Sequence, residues 1–262
     1  LPPVDAVLVA EPTDLAIMPV EGGLVHFRIE VDGRESHAGN RYQSIHAGGL
    51  GHDAGVNAIE KTLRIVSALQ DLERQWATFR HHPMLPPGFN TLTPGIIVGG
   101  PGGGANGRLN VVSNPGTAPN YCAIEYNLWF LPGESFAAVR DEIESFVAAA
   151  CQLDPWLSEH PPRFTWKLRN IYFPPAETRP THPFIQTLST SIETLGQEPV
   201  IQGFTAASEL AWYAEVGIPG AIFGPGRIAQ AHSPDEHVDI GQLHAACATM
   251  ALTAVAWCGA AT

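Results

Sequence analysis

Cationic residues are scarce in this chain. Its 262 residues hold 14 Lys and Arg against 26 Asp and Glu, a net charge of -12. That deficit argues against nucleic acid as a partner, because neutralising phosphates takes clustered Lys and Arg. Cysteine is also scarce. Cys122, Cys151, Cys247 and Cys258 lie far apart and form no Cys-x-x-Cys pair. In a chain this long they read as buried reduced thiols, not as a disulfide framework. No apolar run approaches the ~20 residues of a membrane span, so no membrane partner is expected. The run Gly99-Gly-Pro-Gly-Gly-Gly104 lacks the Lys-Ser/Thr that completes a phosphate loop. No secretory signal is visible, and the expected location is cytoplasmic. The chain opens on Leu1-Pro-Pro3 and enters a strand at once, so the expectation is that Leu1 is not a natural start.

What is present supports a real core. With 45% hydrophobic and 15% charged residues, the length suits one large domain or two ordinary ones. Val4 to Ala10 is a nearly continuous apolar run, as in a strand covered on both faces. It ends at Glu11-Pro-Thr-Asp14, which leaves a carboxylate at a strand's carboxyl end. Leu24 to Asp32 alternates apolar and polar residues, a strand with one wet face. A glycine- and histidine-rich loop follows. Val56, Ile59, Leu63, Val66, Leu69 and Leu72 then predict a long amphipathic helix. Strands are expected over 90–98, 121–131 and 163–168, and Ser135 caps a helix whose face is Phe136, Val139, Ile143, Phe146 and Ala150. The order from Leu24 to about Asn170 is β-α-β-β-α-β, the split unit of a ferredoxin-like layer.

From Ile171 the pattern changes. Helices are expected at 184–195, closed by Gly196, and at 208–216, closed by Gly217. Ala221-Ile-Phe223 reads as a buried strand, Gly224-Pro-Gly226 as a turn able to approach a ligand, and His232 as a metal-ligand candidate in the loop beyond. Ile240, Leu243, Cys247, Met250, Ala254 and Trp257 predict a last core-facing helix. The fold class is thus α/β: a parallel-sheet portion at 1–20 and 172–262, interrupted by a ferredoxin-like α+β domain at 21–171.

Several short motifs occur in one order. They are Ala10-Glu-Pro-Thr13, Ser36-His-Ala38, Gly55-Val-Asn-Ala-Ile59, Leu109-Asn-Val-Val112, Leu131-Pro-Gly133, and Phe223-Gly-Pro-Gly226 with Ala231-His-Ser-Pro-Asp-Glu236. In them the chain resembles the acetylornithine deacetylase / succinyl-diaminopimelate desuccinylase family of dinuclear metallohydrolases, which includes aminoacylases and carboxypeptidases. The resemblance implies a catalytic domain holding two divalent ions, zinc or cobalt, and an inserted lid through which a homodimer forms. It implies hydrolysis of the amide in an N-acyl amino acid by metal-activated water. Carboxypeptidase or dipeptidase activity is the alternative within the superfamily.

Position by position, Glu11 resembles a carboxylate ligand of one ion and His232 the histidine ligand of the other. Asp235 or Glu236 could orient the His232 ring. His37 resembles the lid histidine that donates to the tetrahedral oxyanion across the dimer. Asn110 and Gly226 fall at substrate-contacting positions, and Ser208-Glu209 where the family has Thr followed by Asp or Glu. Two departures stand out. Neither the His-x-Asp nor the Glu-Glu of the family's first ligand region stands ahead of Glu11. The bridging carboxylate and general base are therefore missing, so an inactive dimerisation or binding fragment is a competing expectation. Before Leu131-Pro-Gly133, Asn127-Leu-Trp129 replaces the usual Asp-x-Arg. Trp129 in that place removes a bidentate carboxylate clamp and points to a bulkier or more apolar substrate.

Overall fold

The structure, a computed structural model, describes residues 4–102 and 115–259. Two five-stranded sheets and one short two-stranded sheet divide the strands between them. The first sheet takes its strands from both ends of the chain. The second is built from the residues in between.

β1 (Val7–Val9) opens the first sheet, and a turn through Glu11 leads to β2 (Ile17–Glu21). Gly22 and Gly23 then pass the chain to the second sheet. There, β3 (Gly23–Asp32) lies at the centre, and β4 (Ser36–His37) and the short α1 (Arg41–Ile45) lead to the long α2 (Ala58–Phe79). β5 (Thr91–Gly100), β6 (Thr117–Ala118) and β7 (Tyr121–Phe130) follow. α3 (Phe136–Cys151), α4 (Pro155–Glu159), β8 (Arg163–Trp166) and β9 (Tyr172–Phe173) complete the unit. Its strand order is β5-β7-β3-β8, all antiparallel. With α2 and α3 on one face, this is the ferredoxin-like arrangement the β-α-β-β-α-β order calls for.

The packing follows from alternation. Val25, Phe27, Ile29 and Val31 of β3 face the helices, as do Ile124, Tyr126, Leu128 and Phe130 of β7. Phe27 stacks on Trp166 at 4.3 Å between ring centroids. The α2 face is rotated from the expected one: Ala58, Thr62, Ile65, Leu69, Leu72 and Trp76 are buried, while Leu63 is 54% exposed. Val56 lies outside the helix, paired with Arg34. α3 packs through Val139, Ile143, Val147 and Cys151, capped by Ser135 as expected.

The chain returns to the first sheet with β10 (Ala176–Glu177), α5 (Pro183–Thr194), β11 (Ile201–Phe204), α6 (Leu210–Glu215), β12 (Gly220–Ile222) and α7 (Ile240–Cys258). Parallel pairing holds for β1 with β12 and for β2 with β11. β2 runs antiparallel to β12 and β10, so the sheet is mixed. β2, β4, β6, β9, β10 and β11 were not foreseen.

α7 corrects two expectations. By length and composition alone it could cross a membrane, which the run-length criterion missed. Of its expected core positions, Ile240, Leu243 and Cys247 are exposed, and the fully buried residues are Ala246, Thr249 and Thr253. Met250 and Trp257 pack partly against the core formed with α5. The thiol expectation is likewise half corrected: Cys122 and Cys151 are buried, Cys247 and Cys258 exposed.

Candidate active site

β1 and β12 are parallel neighbours, so their carboxyl ends open on the same edge. An α/β sheet presents its chemistry at such an edge. The two chain segments that leave it are tied together directly. Thr13 Oγ1 donates to Gly224 O at 3.2 Å, and Gly224 N donates back to Thr13 Oγ1 at 3.0 Å. Leu15 N donates to Gly224 O, and Asp14 N to Gly226 O at 2.6 Å. Asp14 and Leu15 adopt left-handed backbone to make this turn. The Asp14 carboxylate accepts from Arg227 Nε and from Gln242 Nε2, and Gln242 Oε1 accepts from Gly226 N. A Cβ on Gly224 would lie 2.5 Å from the carbonyl oxygen of Glu11. Only glycine allows so close an approach.

Glu11 is half-buried beside this clasp. Burial raises its carboxyl above the ordinary range, and the like charge of Glu209 raises it further. Gly226 sits at φ +83°, which accounts for a glycine there. His232 is exposed and left-handed at φ 62°, unusual outside glycine. Its backbone N–H donates to Glu236 Oε2 at 3.3 Å, so Glu236 braces the loop. Asp235 accepts from His237 through its backbone carbonyl, not its carboxylate.

His237-Val238-Asp239 is a His-x-Asp triplet that the sequence reading passed over. Its geometry is structural. The His237 ring meets Asp235 O and Gln230, and the Asp239 carboxylate caps α7 by accepting from Gln242 N. Among the described residues, no three or more His, Cys, Asp or Glu gather as a metal ion requires. Glu11 and His232 therefore do not complete a metal site by themselves.

His37 ends the short β4, at the wall of a cavity of about 360 Å³ also lined by Arg41, His52, Asn57 and Lys61. Its Nδ1 accepts from Gly39 N at 3.1 Å. A neutral ring so engaged carries its proton on Nε2, and the free nitrogen is then a donor. Trp129 lies half-buried in β7, edge-on to Phe89 at 5.5 Å. Asn110 lies outside the described residues. The residue that sequence reasoning missed is Glu21, fully buried and hydrogen-bonded to Ser208. An acidic residue next to two glycines gives no sign of burial.

Comparison with known proteins places this geometry. The model of peptidase family M20/M25/M40 matches residues 2–256. The chain is 33% identical over 247 residues to N-formyl-4-amino-5-aminomethyl-2-methylpyrimidine deformylase of Bacillus subtilis, covering 91% of this chain and 54% of that protein. It is 28% identical over 232 residues to acetylornithine deacetylase of Vibrio cholerae, covering 88% and 52%. Among solved structures, aminopeptidase PepT of Bacillus cereus superposes with a TM-score of 0.63 at 13% identity, over 95% of this chain and 55% of the other. The chain thus spans about half the length of the relatives it matches. By a family match across nearly all its residues, the chain belongs to peptidase family M20/M25/M40.

Proposed function

We propose that this chain contributes to an amidohydrolase that cleaves the acyl–nitrogen bond of a small N-acyl substrate. The observation that carries the reading is the clasp between Thr13 and Gly224, which fixes the Glu11 turn beside the loop leading to His232. Both segments leave the carboxyl edge of one parallel pair. In this reading Glu11 and His232 each offer one donor to a divalent ion, zinc first and cobalt second. Glu11 serves one ion and His232 the other, and a single donor holds an ion weakly, so each ion needs further donors. His37 supplies a hydrogen bond from Nε2 to the developing oxyanion. The lid pairs with a second copy to form a homodimer. Asn110 and Gly226 contact substrate.

Two observations choose the substrate class. A tryptophan stands where a carboxylate-binding arginine was expected, and the pyrimidine deformylase is the more similar of the two relatives described above. Both favour a formamide on a flat, uncharged heteroaromatic amine over an acylated α-amino acid. The test compares formate release from N-formyl-4-amino-5-aminomethyl-2-methylpyrimidine with deacetylation of N-acetylornithine. The protein assayed should carry this chain together with whatever residues adjoin it naturally. Faster turnover of the formamide, abolished by chelation and restored by zinc or cobalt, is expected. Preference for acetylornithine would move the substrate back to acylated amino acids. Activity indifferent to chelation would end the metal-dependent reading.

A second reading concerns the isolated polypeptide. Because no three-donor group is gathered among the described residues, the 262-residue chain alone acts as a folded, self-associating unit with negligible turnover. Hydrolysis by that chain, purified without any other polypeptide, would refute this.

A further inference from the structure

Glu21 ends β2, where the chain leaves one sheet for the other through Gly22 and Gly23. It has no exposed surface. In the sheet it lies opposite Phe204 of β11 and Ala176 of β10, neither of which carries charge. Its Oε2 accepts from Ser208 Oγ at 2.7 Å, and its Oε1 has no hydrogen-bond partner. An ionised carboxylate with an unpaired oxygen is costly in such a place. Burial pushes the carboxyl up to about 8. The hydroxyl of Ser208 and the amides of Ser208 and Ala211 oppose the rise, and the like charge of Glu209 adds to it. The acid on the neighbouring β10, Glu177, lies opposite Val20, with its Oε1 3.6 Å from His82 Nε2.

Ser208 is the link outward. Its Oγ also accepts from Leu210 N at 3.2 Å and so fixes the first turn of α6. Glu209 sits at the N-cap of α6 and acts electrostatically on both Glu21 and Glu11. One buried carboxyl therefore holds the turn that presents a second carboxylate to the candidate site.

We infer that Glu21 is a positioning residue of that site: its buried carboxyl, through Ser208, fixes the Ser208–Glu209 turn, and with it the Glu209 carboxylate, relative to Glu11. The functional half of this inference rests on the amidohydrolase reading. The positional half stands without it.

Hydrogen exchange at the amides of residues 208–211 tests the position, corrected for the intrinsic pH dependence of exchange. Between pH 6.5 and 9.5, protection in the unmodified protein falls at least tenfold as Glu21 ionises. Glu21→Gln keeps an uncharged hydrogen-bonding group and holds protection constant. Glu21→Ala and Ser208→Ala lower it throughout. Constant protection in the unmodified protein, or Glu21→Gln matching Glu21→Ala, overturns the inference. Where amide hydrolysis is measurable, Glu21→Ala lowers kcat at least tenfold with little change in KM, and Glu21→Gln restores it and removes the alkaline fall. An unchanged kcat in Glu21→Ala overturns the functional half. Absence of any turnover in the unmodified protein assayed with its naturally adjoining residues sinks the amidohydrolase reading instead, and the exchange data still decide the position.

Discussion

Thr13 joins residues 211 positions apart with a single hydroxyl that both donates to and accepts from Gly224. It is 1% exposed, so no water replaces those bonds when the hydroxyl is lost. Thr13→Val keeps the volume and strands Gly224 N, while Gly224 O keeps its bond from Leu15 N; the stranded amide costs roughly 1–3 kcal/mol. Urea unfolding should show that loss, and an unchanged midpoint would mean the clasp has relaxed. Glu21 adds a pH dependence of definite sign. Its folded value, about 8, lies above the ordinary 4.5. Between those values the unfolded chain releases a proton that the folded chain keeps. Stability is thus fully present below pH 4.5, falls as pH rises towards 8, and is flat above, by on the order of a few kcal/mol. Glu21→Gln should remove that slope, and parallel stability curves for the two proteins would contradict it. At this scale the sequence was legible where a residue's role depends on its immediate neighbours. Glu11 after a strand and His232 after a glycine turn sit where their neighbours in the sequence put them, with the roles proposed above. Glu21 does not, because its burial comes from β10, β11 and α6, elements up to 190 residues away.

Helix α2 shows how periodicity can find an element and misplace its face. Leu63 and Ile65 are both apolar, and hydrophobic spacing alone admits two faces about one residue apart. The structure selects the one that buries Trp76 and the aliphatic part of Thr62 as well. Ile65→Ala should therefore cost about 2–5 kcal/mol and Leu63→Ala under about 0.5 kcal/mol, read as shifts in urea midpoint. Equal effects would restore the expected face. Strand β5 poses a different element-scale question. Among the described residues it pairs only with β7, and Ile96, Ile97 and Val98 on it are exposed. An apolar edge left open invites another strand. If the proposed homodimer uses this edge, Ile97→Lys should convert it to monomer in light scattering at unchanged stability. Retained dimer would move the interface elsewhere. The long strands and helices of the lid were readable because each carries its own period. β2, β4, β6, β9, β10 and β11 were not, since stretches of two to five residues without a continuous apolar run or an alternation give no pattern to read.

At the scale of the whole molecule, α7 is the element least consistent with the surface it occupies. A helix apolar on all sides belongs inside a larger structure, yet Ile240, Leu243, Leu252 and Val255 are exposed. One side packs on α5 through Ala246, Met250 and Trp257. The other side faces nothing among the described residues, and β1, with β12 as its sole sheet partner, ends the sheet. The relatives are about twice as long as the region they share with this chain. An added layer against α7 would cover this open apolar face. The isolated 262-residue chain should consequently bind an apolar dye such as anilinonaphthalene sulfonate while folded, and associate as its concentration rises. Replacing Leu252 and Val255 together by Glu should abolish most of the dye signal, and exposed sites of this kind cost under about 0.5 kcal/mol each. Ile185→Glu, on the buried face of α5, should instead unfold the first sheet and raise dye binding. Dye binding that survives the double replacement, with the lid intact by circular dichroism, would place the open apolar surface somewhere other than α7.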